Sequence, residues 1–398
     1  MKKNYQTENW WTSPFNEEYR QTLSLPQHVQ IHDATLRDGE QTPGVVFTPE
    51  DKLKIARILS KMGVERIEAG MPAVSEDDKR AIKAIVKDNL PSKIFTFARA
   101  MVKDIEMATE CGAHGVVIEV PIGKPKLLYQ FGWTWEDVAK KTKEAVKASK
   151  EAGLYTVLFP YDTTRADWND LENLLDSVCD YCAPDSVGVV DTTGCILPGA
   201  MFQLVRRVKN LTGLSVEVHT HNDFGMALAN SLAAVEGGAD VIHTCLNSLG
   251  ERTGNTSLYQ VLMALKVMFN IDYGTDFTSF KEIAQDISEM CHVPLAGNEP
   301  IIGDRIFTRE SGIGIEMLKE RPLAMFSLNP EFVGNAPQIV LGKKSGVKSV
   351  EVNLSRLGLS ATDEQMRNIL AKVKNFGIQH KRLLTDNEFK AIASEELK

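Results

Sequence analysis

No stretch of this 398-residue chain reaches about 18 consecutive apolar residues, so no membrane-spanning helix is expected. Its start, MKKNYQTENWW, does not read as a secretory leader: two lysines are followed by polar and aromatic residues where an apolar run belongs. Cysteine is scarce. The six residues are scattered, which argues against a disulfide framework and for free thiols in a reducing, cytoplasmic setting. Cys179 and Cys182 form one C-x-x-C without the second pair that a zinc site of that kind needs. With Leu174, Leu175, Val178 and Cys182 at helical spacing, they read instead as core cysteines of a helix. Positive charge is also short. A formal net charge of -8 leaves no broad surface for nucleic acid, although it does not exclude one local basic pocket for a small anion.

What is present is ordinary for a globular protein, with 43% hydrophobic and 25% charged residues. The length suits one barrel of about 250 residues with an appended region. Eight short Val- and Ile-rich runs stand out: 29–34, 64–69, 93–98, 115–120, 155–160, 186–191, 215–220 and 241–246. Amphipathic stretches such as PEDKLKIARILSKMG and TWEDVAKKTKEAVKASKEAG separate them, opened by Pro, Ser, Thr or Asp and several closed by Gly. Such alternation predicts a parallel sheet with right-handed crossovers, and eight units predict closure into a (β/α)₈ TIM barrel over 29–275. An open doubly wound sheet is the competing fold.

Residues 1–28 form an N-terminal extension whose Trp10, Trp11, Pro14 and Phe15 are expected to pack on the barrel or on a partner subunit. After about residue 275 the rhythm stops. Residues 276–345 read as a linker subdomain, and 346–398 as a small helical C-terminal subdomain in which Ser360 or Thr362 caps one helix.

The polar residues fall where a parallel barrel gathers its chemistry, at the carboxyl ends of the strands. DATLRDGEQ follows the first, Glu68 sits in the second, Arg99 follows the third, FPYDTTR the fifth, DTTG the sixth, HTHND the seventh and NSLGERTGN the eighth. His219 and His221, two apart in a strand, point to one face. Neutral imidazoles suit a divalent ion, and Asp38 adds a carboxylate from across the mouth. Asn255 is a weaker fourth ligand candidate. An ion held there would polarise a ketone and its neighbouring carboxylate. Arg37, beside Asp38, is placed to stabilise the growing oxyanion. Glu68, a carboxylate in an apolar strand, needs a reason: orienting Arg37, orienting a water, or a plain ion pair.

At these residues the sequence resembles the metal-dependent, aldolase-like barrels that include 2-isopropylmalate, homocitrate and citramalate synthases and, more distantly, 3-hydroxy-3-methylglutaryl-CoA lyase. DATLRDGEQT, IEAGMP, HTHND and GERTGN carry it over about 29–275, and PIIG and LGKKSG extend it loosely to about 345. The resemblance implies Asp38, His219 and His221 as ligands of one divalent ion (Zn, Mn, Co or Mg). It implies Arg37 as the ketone-polarising residue, and Gln41, Glu68, Arg99 and Thr192 around the substrate. It implies an acyltransferase of carboxylic acid biosynthesis that joins acetyl-CoA, or a related acyl-CoA, to a 2-oxo acid in a Claisen-type condensation, and a homodimer. GERTGN looks like the synthase loop; the lyase's cysteine-bearing loop has no counterpart, since Cys245 falls several residues too early.

Three departures stand against this pattern. Gly314, in FTRESGIGIEML, occupies the place of a histidine expected as acid/base group, and Arg309 replaces a second one. FPYDTTR departs from the usual segment after the fifth strand, leaving Asp162, Tyr161 or another group as the base. PIGKPKLLYQFGW departs after the fourth. Lys124 and Lys126, with Arg165 and Arg309, are candidates to meet an acidic substrate arm, solvated lysines being the plainer reading. A carbon–carbon lyase running in reverse and a metal-binding relative with little catalysis are the alternatives.

Overall fold

The computed structural model describes residues 4–312 and 314–398, which divide into two compact units. The larger comprises Phe15–Asp276 and Ile283–Leu295. Within it eight parallel strands close into a barrel in chain order: β1 (Gln30–Asp33), β2 (Arg66–Glu68), β3 (Lys93–Arg99), β4 (Gly115–Pro121), β5 (Tyr155–Tyr161), β6 (Ser186–Asp191), β7 (Ser215–Thr220) and β8 (Val241–Thr244). β8 pairs back onto β1, with His32 opposite His243. The TIM barrel expected from the Val/Ile runs is the fold observed, and the open sheet is ruled out by that last pairing.

Helices follow each strand because the intervening segments carry start signals and one apolar stripe. Thr48 caps Pro49–Lys61 in a reciprocal box with Asp51, and Ile55, Ala56 and Leu59 are its buried face. Thr134 and Asp137 do the same for Trp135–Glu151. Each fully buried Val, Leu or Ile stabilises by about 1.5–3 kcal/mol relative to exposure, so these stripes hold the helices to the sheet. Trp168–Tyr181 buries Leu174, Leu175 and Val178 as the spacing indicates, but Cys179 and Cys182 are only half-buried, because Cys182 falls just beyond the helix. All six cysteines are free.

Alternate residues of the strands fill the barrel. Phe95 and Phe97 of β3, Val117 of β4, Val157 and Phe159 of β5 and Val190 of β6 form one interior cluster. Two glycines make room for its rings: a Cβ at Gly115 would lie 2.3 Å from Phe95, and one at Gly188 2.7 Å from Phe159.

The second unit comprises residues 4–14, Phe277–Glu282 and Ala296–Lys398. Its core gathers Val350, Leu354, Ile369, Val373 and Phe389 from three helices, Val347–Arg356, Asp363–His380 and Asp386–Glu396, together with Leu341 from the segment before them. Thr362, rather than Ser360, caps the middle one. A parallel pair, β9 (Thr308–Arg309) with β10 (Gln338–Ile339), was too short to announce itself in the sequence. The expected N-terminal extension is divided. The Trp10 ring meets that of Phe332 at 5.6 Å, tilted by 44°, and Trp11 N–H donates to Ser327 O at 2.9 Å, so this aromatic segment packs within the second unit rather than on the barrel. Among the described residues, no helix is long and apolar enough to cross a membrane.

Candidate active site at the barrel mouth

The site begins where β1 ends. Asp33 accepts from Thr35 N–H and from the Thr244 hydroxyl, both at 2.9 Å, and this fixes the direction in which the chain leaves the strand. Arg37, Asp38 and Gly39 then all donate to Ala34 O, which curls the turn over the mouth. Arg37 is held on three sides. Its Nε donates to Glu68 Oε1, its Nη1 lies 3.3 Å from Asp38 Oδ1, and its guanidinium lies 4.1 Å over the Phe97 ring. Its buried Nη2 has no hydrogen-bond partner. One N–H group is therefore left to serve a ligand.

Glu68 is fully buried. Burial alone would raise its pKa, but Arg37 and the bond from His32 bring it down to about 2, so it is ionised and fixes the guanidinium. Asp38, also buried, is held well below the usual carboxylate range because Arg37, His219 and His221 outweigh its desolvation.

β7 ends at Thr220, but the chain stays extended through His221, which bridges to Asn255, so the two-residue spacing still brings both imidazoles to one side. Their Nε2 atoms lie 3.2 Å apart and face Asp38 Oδ2 at 3.3 and 3.6 Å. Burial lowers both histidine pKa values, that of His221 to about 4, so both rings are neutral, the form that ligates. At that separation one ring can donate Nε2–H to the other, and a cation between them would replace that proton. Asn255 Nδ2 donates to Asp38 Oδ2 at 2.7 Å and to Leu249 O at 2.9 Å, leaving the buried Asn255 Oδ1 without a partner. The donor set, one carboxylate and two imidazoles within 4.8 Å of one another with an amide oxygen beside them, fits a divalent cation.

Other residues singled out in the sequence are differently engaged. Asp162 does not fit the role of base. It is fully buried, gripped by Arg165 through two bonds of 2.8 and 2.7 Å, and pressed so closely on Gly123 that a Cβ there would lie 2.2 Å from its Oδ2. The same pair occupies Arg165, and Thr192 Oγ1 accepts from Asp162 N–H at 2.8 Å, so these three residues knit the ends of β5 and β6. Tyr161 fares no better as a base, since burial and Glu119 push its hydroxyl pKa up. Arg99 pairs through two bonds with Asp104, its guanidinium half-exposed. Gln41 borders a cavity of about 390 Å³ that Arg37, Val45 and Met71 also line. Lys124 is exposed and paired with Asp170, as the solvated reading has it, whereas Lys126 Nζ sits 6.0 Å from the Tyr161 ring centre. Arg309 and Gly314 belong to the second unit.

Sequence reasoning missed Glu119 on β4 and a polar group deeper in the barrel: His32, Arg66, Glu217 and His243. They lie in β1, β2, β4, β7 and β8, runs that stand out for their Val and Ile content. Alternation would have marked two of them as interior-facing, because Glu119 follows the interior-facing Val117 by two and Glu217 precedes His219 by two, though not their pairing across strands.

Fold and site together define a (β/α)₈ barrel whose mouth assembles a candidate cation group beside a fixed guanidinium. The chain belongs to the HMGL-like family, whose profile matches residues 28–287. A profile described as homocitrate synthase post-HMGL domain-like matches residues 301–381. The chain is 37% identical to homocitrate synthase AksA of Methanopyrus kandleri, over 97% of this chain and 96% of that protein. It is 39% identical to (R)-citramalate synthase CimA of Methanocaldococcus jannaschii, over 92% of this chain and 74% of that one. A probable 2-isopropylmalate synthase of Ignicoccus hospitalis is 38% identical over 91% of each. Among solved structures, the HMG-CoA lyase from Brucella melitensis shares the fold with a TM-score of 0.60 at 18% identity, over 67% of this chain and 100% of that one.

Proposed function

We propose that this chain is a metal-dependent acyltransferase that condenses acetyl-CoA, or a related acyl-CoA, with a 2-oxo acid, giving a 2-hydroxy acid and CoA. The observation that carries the reading is the convergence of Asp38, His219 and His221 beside the unpartnered Nη2 of Arg37. The names of the relatives, synthases of homocitrate, citramalate and isopropylmalate, support it.

A zinc, manganese, cobalt or magnesium ion held by Asp38, His219 and His221, with Asn255 at hand, would supply Lewis acidity to the ketone and carboxylate of the oxo acid. The chain's own residues do the rest. Arg37 Nη2 donates to the oxyanion that develops as the ketone is attacked. Glu68 and the Phe97 ring keep the guanidinium from turning away. Gln41, which lines one cavity with Arg37, is placed to meet the remainder of the acid. Cleavage driven by a cysteine is not supported by Cys245, whose thiol is fully buried and whose pKa burial pushes up.

The test is CoA release from acetyl-CoA with pyruvate, oxaloacetate, 2-oxoglutarate and 2-oxoisovalerate, by protein resupplied with each metal in turn. Release with at least one acid, abolished by chelation and restored by the ion, is expected. Absence of release with all four acids and all four metals overturns the reading.

A further inference from the structure

A condensation of this kind needs a base for the acyl methyl proton, and most acids of the mouth are already committed. Asp38 faces the two histidines, Glu68 holds Arg37 and His32, and Asp162 is clasped by Arg165. Asp191 accepts from the Thr164 hydroxyl and Cys195 N–H.

Glu119 is different. It lies two residues beyond Val117 on β4, one step nearer the mouth, and therefore shares the interior face on which Val117 meets Phe97, Val157 and Phe159. It is half-buried rather than sealed. Its strand partners in register are Arg99 and Phe159. Among the described residues, no hydrogen bond or ion pair engages its carboxylate. The charged and titratable groups around it are Arg37 and Asp38 from the turn after β1, Glu68 of β2, Arg99 of β3, Lys126 beyond β4 and Tyr161 of β5.

We propose that Glu119 is the base that removes the methyl proton of the acyl-CoA, a role that rests on the condensation reading above. In the step, the methyl C–H bond breaks and its proton passes to the Glu119 carboxylate, leaving the electron pair in the thioester enolate. The enolate carbon forms a bond to the ketone carbon, and the carbonyl π pair moves onto the ketone oxygen facing Arg37 Nη2. Glu119 returns its proton to that oxygen and is again a carboxylate. Water then adds to the thioester, the C–S bond breaks, and CoA leaves as the thiol. The surroundings suit this task. Burial pushes the Glu119 pKa up to about 7 against the pull of Arg37, so the group is both ionised enough and basic enough near neutrality.

The test compares the full-length, metal-loaded protein with its Glu119→Gln and Glu119→Asp variants, melting curves confirming that each folds. Three quantities are read: CoA release, loss of deuterium to water from acetyl-CoA labelled on the methyl group, and the pH dependence of kcat/KM. Glu119→Gln should lower kcat about 10²–10⁴-fold with the oxo-acid KM little changed, and abolish the deuterium loss. Glu119→Asp should recover part of both, and the acidic limb of the wild-type profile, near pH 7, should vanish in Glu119→Gln. A Glu119→Gln variant that turns over within about threefold of wild type, or that stops releasing CoA while exchanging deuterium at the wild-type rate, overturns the assignment alone. A wild-type protein that neither releases CoA nor exchanges with any acid sinks the condensation reading, and this assignment with it.

Discussion

Asp38, His219 and His221 at the mouth and His32, Glu217 and His243 in the barrel interior are groups of one composition, each with its ligand atoms within 4.8 Å of one another. Their geometry separates them. At the mouth the two rings are inclined at 69°, their Nε2 atoms converge, and both face the same carboxylate oxygen. In the interior the rings of His32 and His243 stack at 4.2 Å with 6° between their planes, so their lone pairs run parallel and never meet. Each Nε2 there faces a carboxylate of its own, Glu68 at 3.1 Å and Glu217 at 2.8 Å. Glu217 is further saturated by Arg66 at 2.7 Å and Ser186 at 2.6 Å. The mouth group therefore suits a cation better than the interior group does, because below the Arg66 guanidinium already supplies the positive charge. What makes an ion site is convergence and availability of lone pairs, not the count of ligating residue types.

The sharpest way to break this contrast is His219→Ala against His243→Ala. The first should empty the protein of tightly bound metal and cost about 10³-fold or more in CoA release, while the second keeps its metal content; elemental analysis and the thiol assay read both. Equal metal loss from the two would erase the distinction. Next comes Glu217→Gln, which strands Arg66 and His243 without their counter-charge. Denaturant unfolding should show a loss of about 3–5 kcal/mol with metal stoichiometry preserved. Unchanged stability would mean that the interior group is dispensable packing.

Arg37→Gln acts on the mouth again. It should retain the metal and lower kcat about 10²–10³-fold, as removal of one oxyanion donor does. Loss of metal instead would show that Arg37 serves Asp38 rather than the substrate.

The smallest effect expected is a pH response of the interior. Burial and the stacked His32 bring His243 down to about 4, against the pull of Glu217. The unfolded chain, with an ordinary histidine near 6.5, therefore binds more protons between those values. Stability is intact above about pH 6.5 and should decline as pH falls toward 4, on the order of 3 kcal/mol across the window. Melting temperatures should drop through that range in the wild type and respond less in His243→Asn. A flat wild-type profile would deny that the ring is held neutral.

The barrel was legible in the sequence because burial on both faces demands continuous Val and Ile, and that pattern survives without knowledge of neighbours. The mouth group was legible because His219 and His221 lie in one short motif and Asp38 in another. The interior network was not, because His32, Arg66, Glu217 and His243 come from four strands and pair only after closure. The commitment of Asp162 was equally hidden: nothing in FPYDTTR shows that Gly123, from the segment after β4, closes against its carboxylate. Trp10 is expected from the sequence to pack on the barrel or on a partner subunit, yet its ring partner, Phe332, lies some 300 residues away in sequence.

The unpartnered Nη2 of Arg37 has a stereochemical consequence. A guanidinium set over the Phe97 ring and tied at two edges cannot swivel to follow a carbonyl presented the other way round. On the proposed reading, a ketone held there would offer one prochiral face to the enolate formed at Glu119 and turn the other to the wall. Where the acid makes the new tetrahedral carbon stereogenic, as pyruvate, 2-oxoglutarate and 2-oxoisovalerate do with acetyl-CoA, chiral chromatography of the product should show a single enantiomer.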